Sequence, residues 1–289
     1  MGPKTRPMNL LSRLPLVKNQ RDMRKVRVRT VVPFVIVALA LLAAARLTAG
    51  QQEVFEKAYS MEGVTKVSIE NVNGHIDAVA WDKPYFKIKA TKSADGGRAD
   101  ETIKLTEIRV RKVGDEIKVE TINPKRQRLF GFLDFGSQNA HVDYEVQIPA
   151  NAQVRFETCN GRVNAAGFTG LLSGDAVNGS IELSNLDGPA TASTVNGSVR
   201  LTFKGPLKKS RVETVNGSID VAFDRSSSIR YDLETVNGHI EGDFDMPVEG
   251  KFGPKEARGS YNGGAETLHC ETVNGTIRLK TNASGTASK

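Results

Sequence analysis

Along most of the chain from position 150 onward, apolar and polar residues alternate with a period of two, and the alternation restarts after each of a series of Asn-Gly pairs. A period of two is the pattern of strands that turn one face to a core and the other to water. The restarts are copies of one another. Asn71-Val72-Asn73-Gly74-His75-Ile76, Thr158-Cys159-Asn160-Gly161-Arg162-Val163 and Ala176-Val177-Asn178-Gly179-Ser180-Ile181 are followed by four closer copies at 194–199, 214–219, 235–240 and 272–277. From Gly161 to Gly238 the glycines stand 18, 18, 20 and 21 residues apart. An isolated Asn-Gly reads as a hairpin turn. Here a second turn signal lies between copies, as in Asn185-Leu186-Asp187-Gly188-Pro189 and Lys204-Gly205-Pro206. Each unit therefore reads strand, corner, strand, turn, which predicts a parallel β-solenoid with about 4.8 Å between coils.

Aligning the copies on Thr assigns positions to faces. Two places upstream stand Ile69, Phe156, Gly174, Ala192, Val212, Leu233 and Cys270, an inward column. After the corner, Ile76, Val163, Ile181, Val199, Ile219, Ile240 and Ile277 form a second, and Leu183, Leu201, Val221 and Leu279 a third. The corners themselves are Asn73 and Gly74, Asn160 and Gly161, Asn178 and Gly179, Asn196 and Gly197, Asn216 and Gly217, Asn237 and Gly238, and Asn274 and Gly275. These pairs are expected to turn the chain through the positive φ that Gly and Asn tolerate. Alternation places Asn inward or edge-on, with its amide bonded to neighbouring coils. Strict alternation puts Val72, Cys159, Val177, Val195, Val215, Val236 and Val273 outward as an exposed stripe; a bend before Asn would instead tuck them into the core.

The rest of the chain reads differently. Longer alternating strands at 64–69, 86–90, 108–113, 116–122 and 141–148 predict an antiparallel sheet region over 52–150 that caps the solenoid of 151–280. A short helix fits 99–106, a hairpin or loop excursion fits 251–264, and the tail 281–289 reads as disordered. Residues 30–49 form the one strongly apolar stretch, behind a basic leader at 1–29. This is a signal peptide or, the preferred reading, a membrane-spanning anchor. Either way the leader stays in the cytoplasm and residues 51–289 cross to the periplasm or exterior, a cell-envelope location with the membrane as one partner.

Charge narrows the partners. Residues 1–50 carry ten Lys or Arg and one acid, so the chain's net charge of +7 resides there, leaving 30 basic and 32 acidic residues beyond. A nearly neutral outer part lacks the basic face that releases counterions from a polyanion, which excludes nucleic acid as the expected partner. Cys159 and Cys270 fall in columns that face opposite ways and are expected to be two separate thiols.

These residues resemble a bacterial putative-adhesin family with β-strand repeats, a domain of unknown function. The resemblance rests on Asn73-Gly74-His75-Ile76 followed by Ala80-Trp81-Asp82, on Val146-Gln147-Ile148-Pro149 leading into Phe156-Glu157-Thr158-Cys159-Asn160-Gly161, and on the later Thr-Val-Asn-Gly copies, and covers about 55–280. It implies a β-helix-like exported domain and brings no catalytic residues.

Candidate chemistry is sparse. The position before Thr holds Glu70, Glu157, Asp175, Ser193, Glu213, Glu234 and Glu271, an outward acidic column. Stacked carboxylates repel unless neutralised, either by Arg155, Arg211 and His269 two places upstream or by a divalent cation. The ion-pair ladder is the expectation and no metal is expected; Glu213 and Glu234 are the candidates were a cation, or a polysaccharide-cleaving site on a β-helix scaffold, to be present. His75, His141, His239 and His269 read as surface or corner residues, and no metal, nucleophile-elbow or phosphate-loop motif occurs. Phe130, Phe132 and Phe135, behind Lys125, Arg126 and Arg128, form a candidate interaction loop for a membrane surface or partner, or else a plug for the open end of the solenoid. The whole predicts an all-β chain, a parallel β-solenoid with an N-terminal antiparallel sheet region and an N-terminal membrane helix. Its expected role is a noncatalytic envelope module for adhesion, surface interaction or sensing, without cofactor and with an envelope partner that the residues do not name.

Overall fold

The computed structural model describes residues 52–123, 128–129, 133–134, 139–250 and 253–282. The expected anchor at 30–49 and its leader lie outside these residues, as do Phe130, Phe132 and Phe135 and the tail from 283. Among the described residues no helix is long and apolar enough to cross a membrane.

In chain order the elements are β1 (Gln52–Ser60), β2 (Lys66–Asn73), β3 (Ile76–Trp81), β4 (Tyr85–Ser93), α1 (Ala99–Leu105), β5 (Glu107–Val113), β6 (Glu116–Ile122), a two-stranded pair β7 (Arg128–Leu129) and β8 (Leu133–Asp134), and β9 (His141–Pro149). The repeats follow as β10 (Gln153–Asn160), β11 (Val163–Ala166), β12 (Leu172–Asn178), β13 (Ile181–Leu186), β14 (Ala190–Asn196), β15 (Val199–Phe203), β16 (Ser210–Asn216) and β17 (Ile219–Asp224). The last elements are β18 (Ile229–Asn237), β19 (Ile240–Gly242), β20 (Lys255–Tyr261), β21 (Glu266–Asn274) and β22 (Ile277–Asn282). Two ten-stranded sheets form the walls, ordered β1-β4-β9-β3-β11-β13-β15-β17-β22-β19 and β20-β18-β21-β16-β14-β12-β10-β2-β6-β5. Each coil contributes one strand to each wall, and the Asn-Gly corner joins them.

Between the walls lies one continuous core. Ile76, Val163, Ile181, Val199, Ile219 and Ile277 are all but inaccessible, as are Leu183, Leu201, Val221 and Leu279 opposite Phe156, Val212, Leu233 and Cys270. Each buried branched side chain of this size stabilises the fold by about 1.5–3 kcal/mol relative to exposure. Gly174 leaves the room that Ile181 and Leu183 fill from the facing wall.

Two expectations need correction. The region 52–150 is not a separate antiparallel sheet: β2 pairs in parallel with β10 and with β6, and β3 with β11 and β9, so both walls run through position 150 without a break. Antiparallel pairing is confined to the ends, where β1 and β4 extend one wall beyond β9 and β5 flanks β6 in the other. β6 and β9 thus make a coil of their own. Nor does the chain stack its coils in sequence. β21 inserts between β16 and β18, and β22 between β17 and β19, so the last coil in the chain is the second from the end in space. The excursion at 251–264 supplies β20, antiparallel to β18, which closes that end. The ordered chain also continues past 280, because β22 runs to Asn282 and both Thr281 N and Oγ1 donate to Asp243.

Candidate functional site

The corner explains why its residues recur. Gly74 and Gly161 have the expected positive φ, 122° and 155°, whereas Gly179, Gly197, Gly217, Gly238 and Gly275 are absent from the residues with positive φ. Their requirement is space. A Cβ on Gly179 would overlap the carbonyl oxygen of Gly161, one on Gly197 that of Gly179, and so on through Gly217, Gly275 and Gly238. The N–H groups of Gly74, Gly161, Gly179, Gly197 and Gly217 bond to the Asn carbonyl of the next coil, as Gly179 N does to Asn196 O at 2.9 Å, so neighbouring backbones touch here. Thr adds a donor to that Gly carbonyl: Thr194 Oγ1 to Gly179 O, and Thr214 Oγ1 to Gly197 O, both at 2.9 Å, with Thr235 and Thr272 making the same bond at 3.0 Å. In the first copy Asn71 takes the role of Thr and donates to Val142 O at 2.8 Å.

The Asn side chains stand edge-on and, beyond the half-exposed Asn73, exposed rather than inward, because the strand bends after Thr and the following two residues both face out. Their amides form a single ladder in spatial order. Asn160 donates to Asn73 (2.7 Å), Asn178 to Asn160, Asn196 to Asn178 and Asn216 to Asn196 (2.9 Å each), Asn274 to Asn216 (2.8 Å) and Asn237 to Asn274 (3.0 Å). All bonds point the same way, so each polarises the next.

Beside this ladder runs the valine stripe. Val177, Val195, Val215 and Val236 are 40–44% exposed, whereas Val72 and Val273 are half-buried. Cys159 lies exposed in the same row, while Cys270 is buried in the core, where desolvation raises its thiol pKa; both are free thiols.

The acidic column also assembles, reading Glu256, Glu234, Glu271, Glu213, Ser193, Asp175, Glu157, Glu70 and Glu120 across nine strands. Arginine and histidine side chains interleave it. Arg155 holds Glu157 and Asp175, Arg211 holds Glu213, and His269 lies 3.8 Å from Glu271. Burial raises the Asp175 carboxyl above its ordinary range; Arg155 counters this and Glu157 adds to it. Glu213 and Glu234 do not face each other, because the inserted β21 puts Glu271 between them. Glu234 is bound instead by Arg258 at 2.7 Å, a residue of the 251–264 excursion that also holds Asp232 and Glu256. An open groove of about 460 Å³ lies at the β6 end of this row, lined by Glu70, Val72, Glu120, Glu157, Cys159 and Asp175 among others.

On the outside of the first corner a further group comes together that spacing along the chain does not reveal. Parallel pairing of β3 with β9 sets His75 beside Asp143, and Asp143 Oδ1 accepts from His75 N at 2.8 Å. The Nε2 of His141 lies 3.0 Å from the same oxygen, and the two imidazole rings stand edge to face with centroids 5.7 Å apart.

A family model for the Toastrack DUF4097 domain matches residues 65–280. Among solved structures the chain is similar to a "putative cell adhesion protein" from Clostridium sporogenes ATCC 15579, at 15% identity and a TM-score of 0.44 over 80% of this chain and 100% of that one. It is similar also to a "putative adhesin" from Bacteroides fragilis NCTC 9343 (12%, 0.36, 80% and 97%) and to a "putative lipid binding protein" from Parabacteroides distasonis ATCC 8503 (13%, 0.27, 82% and 96%). No protein of curated function matches. The family match takes in every corner from Asn73 to Gly275, and the chain belongs to the Toastrack DUF4097 family.

Proposed function

We propose that this chain is a noncatalytic cell-envelope module that acts in surface interaction or adhesion, held to the membrane through residues 30–49 with its β-stack on the far side. The observation that carries this reading is the valine stripe. Val177, Val195, Val215 and Val236 stay exposed beside the amide ladder although nothing in the core needs them, with the half-buried Val273 between Val215 and Val236. An exposed apolar row of this kind suits contact with another extended surface. The lopsided charge around 30–49 supports the membrane orientation. The carboxylates support no paired acid and base, since Glu213 and Glu234 are each engaged by a different arginine and separated by Glu271.

The test compares the attachment of cells that produce the full chain, cells deleted for it, and cells that produce Val195→Asp with Val215→Asp. Deletion and the double variant should both lose attachment. Attachment unchanged by deletion overturns the reading; loss on deletion with none in the variant overturns the stripe as its surface. Release of sugar from a polysaccharide by the purified chain, abolished in Glu213→Gln with Glu234→Gln, would show an enzyme instead.

A further inference from the structure

We propose that His75, His141 and Asp143 form a binding site for a divalent transition-metal ion of the zinc class. One ligand atom from each of the three lies within 4.8 Å of the others, close enough for side-chain rotation alone to reach the separations of about 3–3.5 Å that bonds of about 2.0–2.2 Å to a shared ion impose. Two imidazole nitrogens are borderline donors, and their majority over one hard carboxylate oxygen favours zinc, copper or nickel over calcium or magnesium.

Two other groups of acids and histidines have similar spacing, Glu213 with His269 and Glu271, and Asp232 with Glu234 and Glu256. Arginine already supplies the positive charge in both, through Arg211 in the first and Arg258 in the second. Around Asp143, by contrast, the polar neighbours are the two imidazoles.

The scaffold also orients the donors. The His75 N–H holds Asp143 Oδ1 in place, an outer bond of the sort that fixes a ligating carboxylate. Gly74 has φ 122° and no room for a Cβ against Val142, so the backbone next to His75 is pinned to β9, the strand that carries the other two donors. His75 Nδ1 accepts from Arg162 N at 3.1 Å, and coordination would exchange this ring hydrogen bond for a bond to the ion. An ion here ties the start of β9 to the first corner of the stack, where the connection 123–140 rejoins the wall. This inference is independent of the surface-interaction reading.

The test is competition for Zn²⁺ between the full chain and a chromophoric chelator. The unaltered chain should hold one Zn²⁺ per molecule, and His75→Ala and His141→Ala should each weaken binding by roughly tenfold or more. Glu213→Gln with His269→Ala should leave it unchanged, and Ca²⁺ should not compete. His141 is exposed, so that variant tests the site even if His75→Ala disturbs the corner; circular dichroism in the presence of EDTA verifies the fold of each. No Zn²⁺ retained against the chelator, full affinity in His141→Ala, or loss of binding only in the Glu213/His269 variant overturns the assignment.

Discussion

The Asn and Glu positions of each repeat lie three residues apart on the same strand, and both line up along one wall from β2 to β18. They are held by opposite means. The Asn ladder, with the Thr and Gly around it, is forced by backbones in contact: no other residue fits at Gly, and Thr supplies the donor that its carbonyl takes. The acidic row is forced by nothing in the backbone. Ser193 interrupts it, and its partners come from three different places, the same strand for Arg211, a neighbouring coil for Arg155 on Asp175, and the excursion for Arg258. Repetition in a stacked fold thus marks contact between copies first, and function has to be sought where a row is repeated without such a need.

Substitutions should separate the two rows sharply. Gly197→Ala drives a methyl into the Gly179 carbonyl, and the loss should exceed about 4 kcal/mol or abolish a cooperative urea transition. Gly205→Ala, in a return turn with nothing within 4 Å of the added methyl, should stay within about 0.5 kcal/mol. A comparable loss at both positions would show that close approach is not what the corner glycines serve. Next in size, Thr214→Val keeps the shape but leaves the Gly197 carbonyl without its side-chain donor, and should cost about 1–2 kcal/mol in the same measurement. At the small end, Glu213→Gln should change stability by no more than about 0.5 kcal/mol, less still in high salt, because both partners of the pair are more than a third exposed. A larger effect there would bring the two rows together and break the contrast.

How much of this was legible along the chain follows from the same distinction. The inward columns, the amide ladder and the separation of Cys159 from Cys270 are written in a local period that every copy repeats. Positive φ accounts for glycine only at Gly74 and Gly161; at the other corners Asn-Gly signals a turn in isolation, and the role of glycine against the next coil is visible only in the stack. The order of the final coils was hidden because β18 and β21 both carry Thr-Val-Asn-Gly and either satisfies β16. His75, His141 and Asp143 escaped notice because β3 and β9 do not belong to one repeated spacing, and Arg258 because it comes from an insertion between copies.

Since β21 lies between β16 and β18, coils cannot settle in the order in which a ribosome or an export channel delivers them. A chain that emerges N-terminus first offers β18 to β16 before β21 exists, and that early pairing would satisfy the same Thr, Asn and Gly bonds as the final one. Reaching the finished stack means that β18 waits, or lets go, until Asn282 has arrived. A chain interrupted after Gly242 has a way to close one coil short with its ladders intact, so the far end of the stack records whether the last coil was delivered.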